Sequence, residues 1–192
     1  MNTPSHLLIG AAVFARRDQG RVTAAAMLGG VIPDIPLIVM VGWSLLVAGI
    51  PPAAVFGSLY FSGTWQRVFS VDHSFFVWGG LFALGQAQRW PVLRAFAGAG
   101  LLHAGVDFLV HHDDARRQFW PVSDWVFHSP VSYWDRAHYG RIVAPLEAML
   151  DLICGVVLSR RLGRVWERAV VVGAAVMVAL PMVAFAVMFH GL

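Results

Sequence analysis

Residues 92–110 read VLRAFAGAGLLHAGVDFLV, an apolar stretch long enough to cross a bilayer as a helix, with His103 and Asp107 set inside it. Four residues apart, the two side chains share one helix face. Ionisable groups at bilayer depth are costly and turn toward the bundle interior, so the reading of the chain hangs on what meets that face.

The rest of the sequence supplies the bilayer. Of 192 residues, 58% are hydrophobic and 13% charged, and the mean hydropathy is +0.65. A water-exposed domain of this size carries roughly twice that share of charge. Five long apolar segments stand out, at about 23–50, 71–88, 92–110, 143–159 and 168–189, with a short one at about 4–15. The last, which contains Pro181, reads as a scaffold helix facing lipid. The fold expected is all-α: one integral membrane domain over residues 1–192, with about five spanning segments, a short N-terminal helix and an aromatic outer loop at 111–142. Arg16 and Arg17 follow the first apolar stretch rather than precede it, so that stretch reads as retained rather than as a signal peptide. No internal repeat is visible, and the lone Cys154 supports neither a disulfide framework nor a thiolate metal cluster.

All 14 basic residues are arginines, and their placement orients the bundle. Arg16, Arg17, Arg21, Arg89, Arg94, Arg160, Arg161, Arg164 and Arg168 fall on one side; Arg67, Arg116, Arg117, Arg136 and Arg141 fall on the other. The positive-inside rule then puts the first set in the cytoplasm and loop 111–142 outside, in the inner (plasma) membrane of a cell. The pI near 9.7 is read as arginines anchoring helix ends. No basic stripe interleaves with polar helix faces, and nucleic-acid binding is not expected.

Depth brings separate segments together. At 1.5 Å per residue, His6 lies ~15 Å above Arg16, Asp34 ~20 Å above Arg21, and His73 ~24 Å above Arg89. His103 and Asp107 lie ~14 and ~20 Å above Arg94, and Glu147 ~20 Å above Arg160. Candidates from separate segments thus share one layer in the outer half of the bilayer. Imidazole nitrogens and carboxylate oxygens are the donor set of a zinc-type centre. His6, Asp34, His73, His103 and Asp107 are therefore the expected ligands of a divalent metal, zinc first and manganese second, with His111 and Glu147 as further candidates.

Each local motif has a plainer alternative. Thr3-Pro4-Ser5-His6 opens a helix that Thr3 or Ser5 can cap, and His6 can be an interfacial residue. In Gly29-Gly30-Val31-Ile32-Pro33-Asp34-Ile35-Pro36, two glycines and two prolines should break the span, which lipid tolerates only where the backbone lines a cavity or an ion. Asp34 either ligates or caps a half-helix. In Val71-Asp72-His73-Ser74, Asp72 is either a helix cap or a group that orients an imidazole or activates water. His111-His112-Asp113-Asp114 reads as ligands, proton relay or solvated charge, with His112 a second candidate general base. Glu147 and Asp151, four apart, can pair with Arg141. The loop FWPVSDWVFHSPVSYWD (119–135) is either an interfacial belt or a lid whose neighbours Arg116 and Arg117 hold a phosphate or carboxylate.

The order of an N-terminal His6, Gly29-Gly30 with Pro33-Asp34, His73-Ser74 at a helix start and His103-x-x-x-Asp107 resembles the membrane-bound metal-dependent hydrolases, among them LexA-regulated inner-membrane proteins. It is more distantly similar to the zinc-dependent phospholipases C. The resemblance covers about the first 60% of the chain. It implies metal-dependent hydrolysis of a lipid or amphiphilic ester, in the first instance a phosphoester. The family pattern also has a His-Arg pair five and four residues before the His-Ser histidine, where this chain has Val68 and Phe69; Arg67, His111 or His112 would have to substitute. Two other classes stay open: a proton or metal-ion transporter using the same groups as a relay, and a structural membrane protein with a vestigial site.

Overall fold

A computed structural model describes residues 1–190, with side chains through 178. It is all-helical among the described residues. Helix α1 (Thr3–Phe14) is followed by α2 (Gly20–Val31), a tight turn at Ile32–Asp34 and α3 (Ile35–Gly42), which ends in a wide turn at Trp43–Val47. A short helix α4 (Pro52–Ala54) leads through another wide turn to α5 (Gly63–Asp72). Then come α6 (Phe75–Ala87), α7 (Pro91–Val110), α8 (Gly140–Arg161) and α9 (Val165–His190).

Among the described residues, four stretches are long and apolar enough to cross a membrane: Gly20–Val47, Gly63–Ala87, Pro91–Val110 and Gly140–Arg161. They leave large apolar side chains uncovered, Leu46 at 87% and Leu152 at 68% exposure among them. Water tolerates no such surface on a monomer, whereas lipid does. Helix α9 runs along the expected segment 168–189; the C-terminal part of that segment, with Pro181, lies outside the described side chains. The segment expected at 71–88 gains an unforeseen half. Helix α5 is too polar in Gln66, Arg67, Ser70 and Asp72 to announce itself by hydropathy, yet Ser62 caps it, accepting from the Trp65 N–H.

Helix α1 is too short to span, and instead is wrapped by α2, α7, α8 and α9. Leu8 and Ala11 of α1, with Ala15 just after it, join Met27, Cys154, Leu158, Val171 and Ala174 in one core cluster. Small residues let the backbones approach. A Cβ on Gly29 would fall 2.0 Å from the Phe96 carbonyl oxygen of α7, and one on Gly30 would fall 2.5 Å from the His6 carbonyl oxygen of α1. The two glycines therefore do not break α2, as the sequence suggests; they lie within it as contact points. The interruption is one turn later, at Pro33, where α2 hands over to α3.

At the arginine-rich end, Arg161 donates to the Ala12 carbonyl (2.6 Å) and Arg168 to the Leu162 carbonyl (2.9 Å). Cations satisfying the last carbonyls of helices match the role expected of the basic residues.

Candidate metal centre

Five helical elements converge on one point. Asp34 closes the turn after α2, His73 sits between α5 and α6, and His103 and Asp107 lie on α7, with α1 packed beneath. Asp34, His73, His103 and Asp107 are all buried, and one donor atom from each lies within 4.8 Å of the other three. This cluster can hold a metal ion.

The hydrogen count makes the case. His103 Nδ1 lies 2.8 Å from the Gly30 carbonyl oxygen and His73 Nδ1 lies 3.3 Å from that of Phe69. A carbonyl only accepts, so Nδ1 carries a hydrogen in each ring, and whenever the imidazole is neutral its Nε2 is a bare lone pair. Both Nε2 atoms are buried without a hydrogen-bond partner. What they face is carboxylate: His103 Nε2 is 3.3 Å from Asp107 Oδ2 and 3.5 Å from Asp34 Oδ1, and His73 Nε2 is 3.5 Å and 3.9 Å from the same atoms. These separations exceed the ~2.7–2.9 Å of a charge-assisted hydrogen bond. Ligands at ~2.0–2.1 Å from a tetrahedral ion lie ~3.3–3.4 Å from one another, close to the spacing found. Acceptors turned toward acceptors in a buried site are what a cation resolves.

The supporting contacts hold these groups in place. Thr3 Oγ1 donates to Asp34 Oδ2 at 2.5 Å. As the residue before α3, Asp34 makes no side-chain cap, which disposes of the plainer reading of that carboxylate. Asp107 Oδ1 lies 2.9 Å from His6 Nε2, 3.1 Å from His111 Nε2 and 2.8 Å from the Met1 amino nitrogen. His6 is buried rather than interfacial, and its ring stacks on His103 with centroids 3.6 Å apart. The structure brings His6 to Asp107, outside the four-residue cluster. His111 stands beside it, with Nδ1 2.9 Å from Asp114 Oδ2. The tie to His111 and the nearby Arg116 outweigh burial and keep the Asp114 carboxyl below its ordinary range.

Other candidates go elsewhere. Asp72 does not cap: Ser74 does, accepting from the Phe76 and Val77 N–H groups, and His73 is fully buried. Asp72 stays at the end of α5, its Oδ2 buried and unpartnered. His112 turns away into the loop. Its Nδ1 donates to the Ser129 carbonyl at 2.6 Å, and its ring stacks on His138 with centroids 3.6 Å apart. A base at that position is not brought to the cluster. Arg117 is held outside, 3.3 Å from Asp124. Glu147 and Asp151 do not use Arg141: Ser5 Oγ lies 2.7 Å from Glu147 Oε1 and 2.6 Å from Asp151 Oδ2, and Asn2 adds two donors to Glu147. Ser5 and Thr3 are thus spent on carboxylates, not on capping α1.

Beside the cluster opens a cavity of about 850 Å³, reaching Asp34 and Asp107 at one end and lined by His111, Asp114 and Arg116. Loop 111–139 closes over this end, anchored by the Phe75 N–H on the Gln118 carbonyl and by Phe119 packed on Phe75 and Phe108. Arg116, not Arg67, comes to the neighbourhood of Phe69, its guanidinium 4.5 Å from the ring centroid. Compared with protein-family models, with curated proteins and with solved structures, the chain finds no match in any of the three.

Proposed function

We propose that the chain is a membrane-embedded, metal-dependent hydrolase acting on a lipid or other amphiphilic ester, in the first instance a phosphoester. One observation carries the reading: two buried, unpartnered Nε2 lone pairs face two carboxylates beside a large cavity. Asp34, His73, His103 and Asp107 would hold the ion, and a two-nitrogen, two-oxygen donor set suits zinc, with manganese as the alternative. Such an ion polarises a scissile phosphoryl or carbonyl oxygen and makes water a nucleophile near neutrality.

The chain's own groups supply the rest. Gly30 and Phe69 carbonyls fix the imidazole tautomers, and His6 and Thr3 orient the two carboxylates, as outer contacts do at metal sites. His111, oriented by Asp114 and lining the cavity, is the group we assign to general acid–base work in place of His112. Arg116 faces the same space with a fixed positive charge. The arginine distribution supports a place in the inner (plasma) membrane with this layer toward the outer leaflet.

The reading is tested with zinc- or manganese-loaded protein in mixed micelles, against p-nitrophenyl esters of alkyl phosphates and carboxylic acids. Hydrolysis that Asp107→Asn and His103→Ala each reduce by at least 100-fold is expected. Turnover equal in wild type and both variants, or none with any ester despite bound metal, counts against it.

A further inference from the structure

We infer that Arg116 seats the anionic headgroup of a single-chain amphiphile, whose alkyl tail lies in the groove along α3 and enters sideways from the bilayer. This deepens the hydrolase reading of the metal centre and rests on it.

The guanidinium is the starting point. Arg116 is 2% exposed, and its Nε and Nη1 have no hydrogen-bond partner. It lies against two neighbouring aromatic rings, 5.1 Å from the Tyr60 centroid and 4.5 Å from that of Phe69. Ring faces stabilise a cation but leave its in-plane N–H groups unmet. Tyr60 brings no counter-charge, because burial pushes its phenol up to about 12, Arg116 pulling the other way. His111 engages Asp114 Oδ2 at 2.9 Å, and Asp114 Oδ1 and Asp72 Oδ2 both stay unpartnered rather than closing on the guanidinium. A buried arginine with free donors is built for an anion, and its flat fork suits phosphate.

The cavity says what the anion is attached to. Arg116 lines the same space as Asp34 and Asp107, so an anion on it shares one cavity with the metal centre. Away from that end the walls are Leu37, Ile38, Val41, Phe56 and Phe61. Ile38 lies within the span Gly20–Val47 and is 49% exposed, and Phe56 and Phe61 are 51% and 52% exposed. The apolar wall therefore continues to the lipid-facing side. A charged head at Arg116 and an apolar tail along α3 is the one amphiphile orientation that matches both ends.

Gly42 gives a clean way to close the groove. It lines the cavity at the end of α3, and a Cβ there meets nothing within 4 Å. Binding of ³²P-labelled dodecyl phosphate to the full chain is measured by scintillation proximity in dodecyl maltoside micelles, with metal content determined on the same samples. Wild type should bind, yielding to dodecyl phosphate but not to dodecyl trimethylammonium, and to inorganic phosphate only at 100-fold higher concentration. Arg116→Gln should weaken binding at least tenfold, and Arg116→Lys should fall between; Arg141→Gln should stay within twofold. Gly42→Phe should weaken dodecyl phosphate at least tenfold while leaving inorganic phosphate within twofold. Micelle partitioning is common to all proteins, so that difference reports the groove.

Arg116→Gln or Gly42→Phe binding dodecyl phosphate as wild type does, or the cationic amphiphile competing equally, overturns the inference. If Arg116→Gln fails to fold, Arg116→Lys matching wild type or Gly42→Phe binding normally still overturns it. Arg116-dependent binding by protein that takes up no metal would sink the hydrolase reading alone. Metal uptake with binding indifferent to Arg116 would sink this inference alone.

Discussion

His103 Nε2 and Asp107 Oδ2, one turn apart on α7, stand 3.3 Å from each other, and with Nδ1 donating to the Gly30 carbonyl the neutral ring meets the carboxylate as a second acceptor. Everything proposed for this centre follows from that confrontation. Imidazole binds metal only when neutral, so metal affinity should fall with acidification. With two histidine ligands, apparent affinity should drop by up to about 100-fold per pH unit where both rings compete with protons. Competition with a chromophoric chelator at pH 7.5, 6.5 and 5.5 measures this. An affinity that does not change across that range would remove histidine from the ligand set.

Gly30 links helix packing to the site. A Cβ on it would fall 2.5 Å from the His6 carbonyl oxygen, and its own carbonyl accepts from His103. Gly30→Ala should overpack the α1–α2 contact and cost about 1–3 kcal/mol. It should also loosen His6 from Asp107 and weaken metal binding. Gly42→Ala, which enters open space, should be neutral or stabilise by up to ~1 kcal/mol on helix propensity. Thermal unfolding in detergent compares the pair; equal melting temperatures for the two variants would contradict the packing argument.

Ser5 makes a separate prediction by hydrogen counting. Its hydroxyl has one hydrogen, yet two carboxyl oxygens lie within 2.7 Å of it, on Glu147 and Asp151. One contact must come from a carboxyl O–H. Glu147 Oε1 already accepts from the backbone N–H and side-chain amide of Asn2, so the proton belongs on Asp151. Infrared difference spectroscopy should show a protonated-carboxyl C=O band at neutral pH that vanishes in Asp151→Asn and persists in Glu147→Gln. A band that survives Asp151→Asn contradicts the assignment.

The periodic and apolar features of the sequence carried most of the architecture. α1, α7 and α8 begin and end within a few residues of their apolar runs, and the common depth of Asp34, His73, His103 and Asp107 was readable from helix rise alone. Helix α5 was not, because its burial depends on Trp65 and Phe69 packing under Tyr60 and Val55, a tertiary cluster that leaves no periodic trace. The roles of Gly29 and Gly30 were misread for a related reason: a glycine pair looks the same in sequence whether it breaks a helix or admits a neighbour. Arg116 and Arg117 are adjacent and chemically alike, and only the folded loop sends one to the cavity and the other to Asp124. His111 and His112 divide in the same way.

Topology fixes which leaflet the cavity faces. In a Cys154→Ser background, a cysteine at Ser123 should react with an impermeant maleimide in intact cells, and one at Gly163 should react only after lysis. The reverse pattern would move the site to the inner leaflet and leave its chemistry unchanged.

The most direct test is the metal itself. Elemental analysis of purified protein, dialysed after loading with zinc, should find one equivalent per chain. X-ray absorption at the zinc edge should show about two nitrogen and two oxygen neighbours at ~2.0–2.1 Å. His103→Ala with Asp107→Ala should lower the content to background while the helical circular dichroism is kept. Wild-type protein that is folded by the same criterion and retains no metal would contradict the account at its centre.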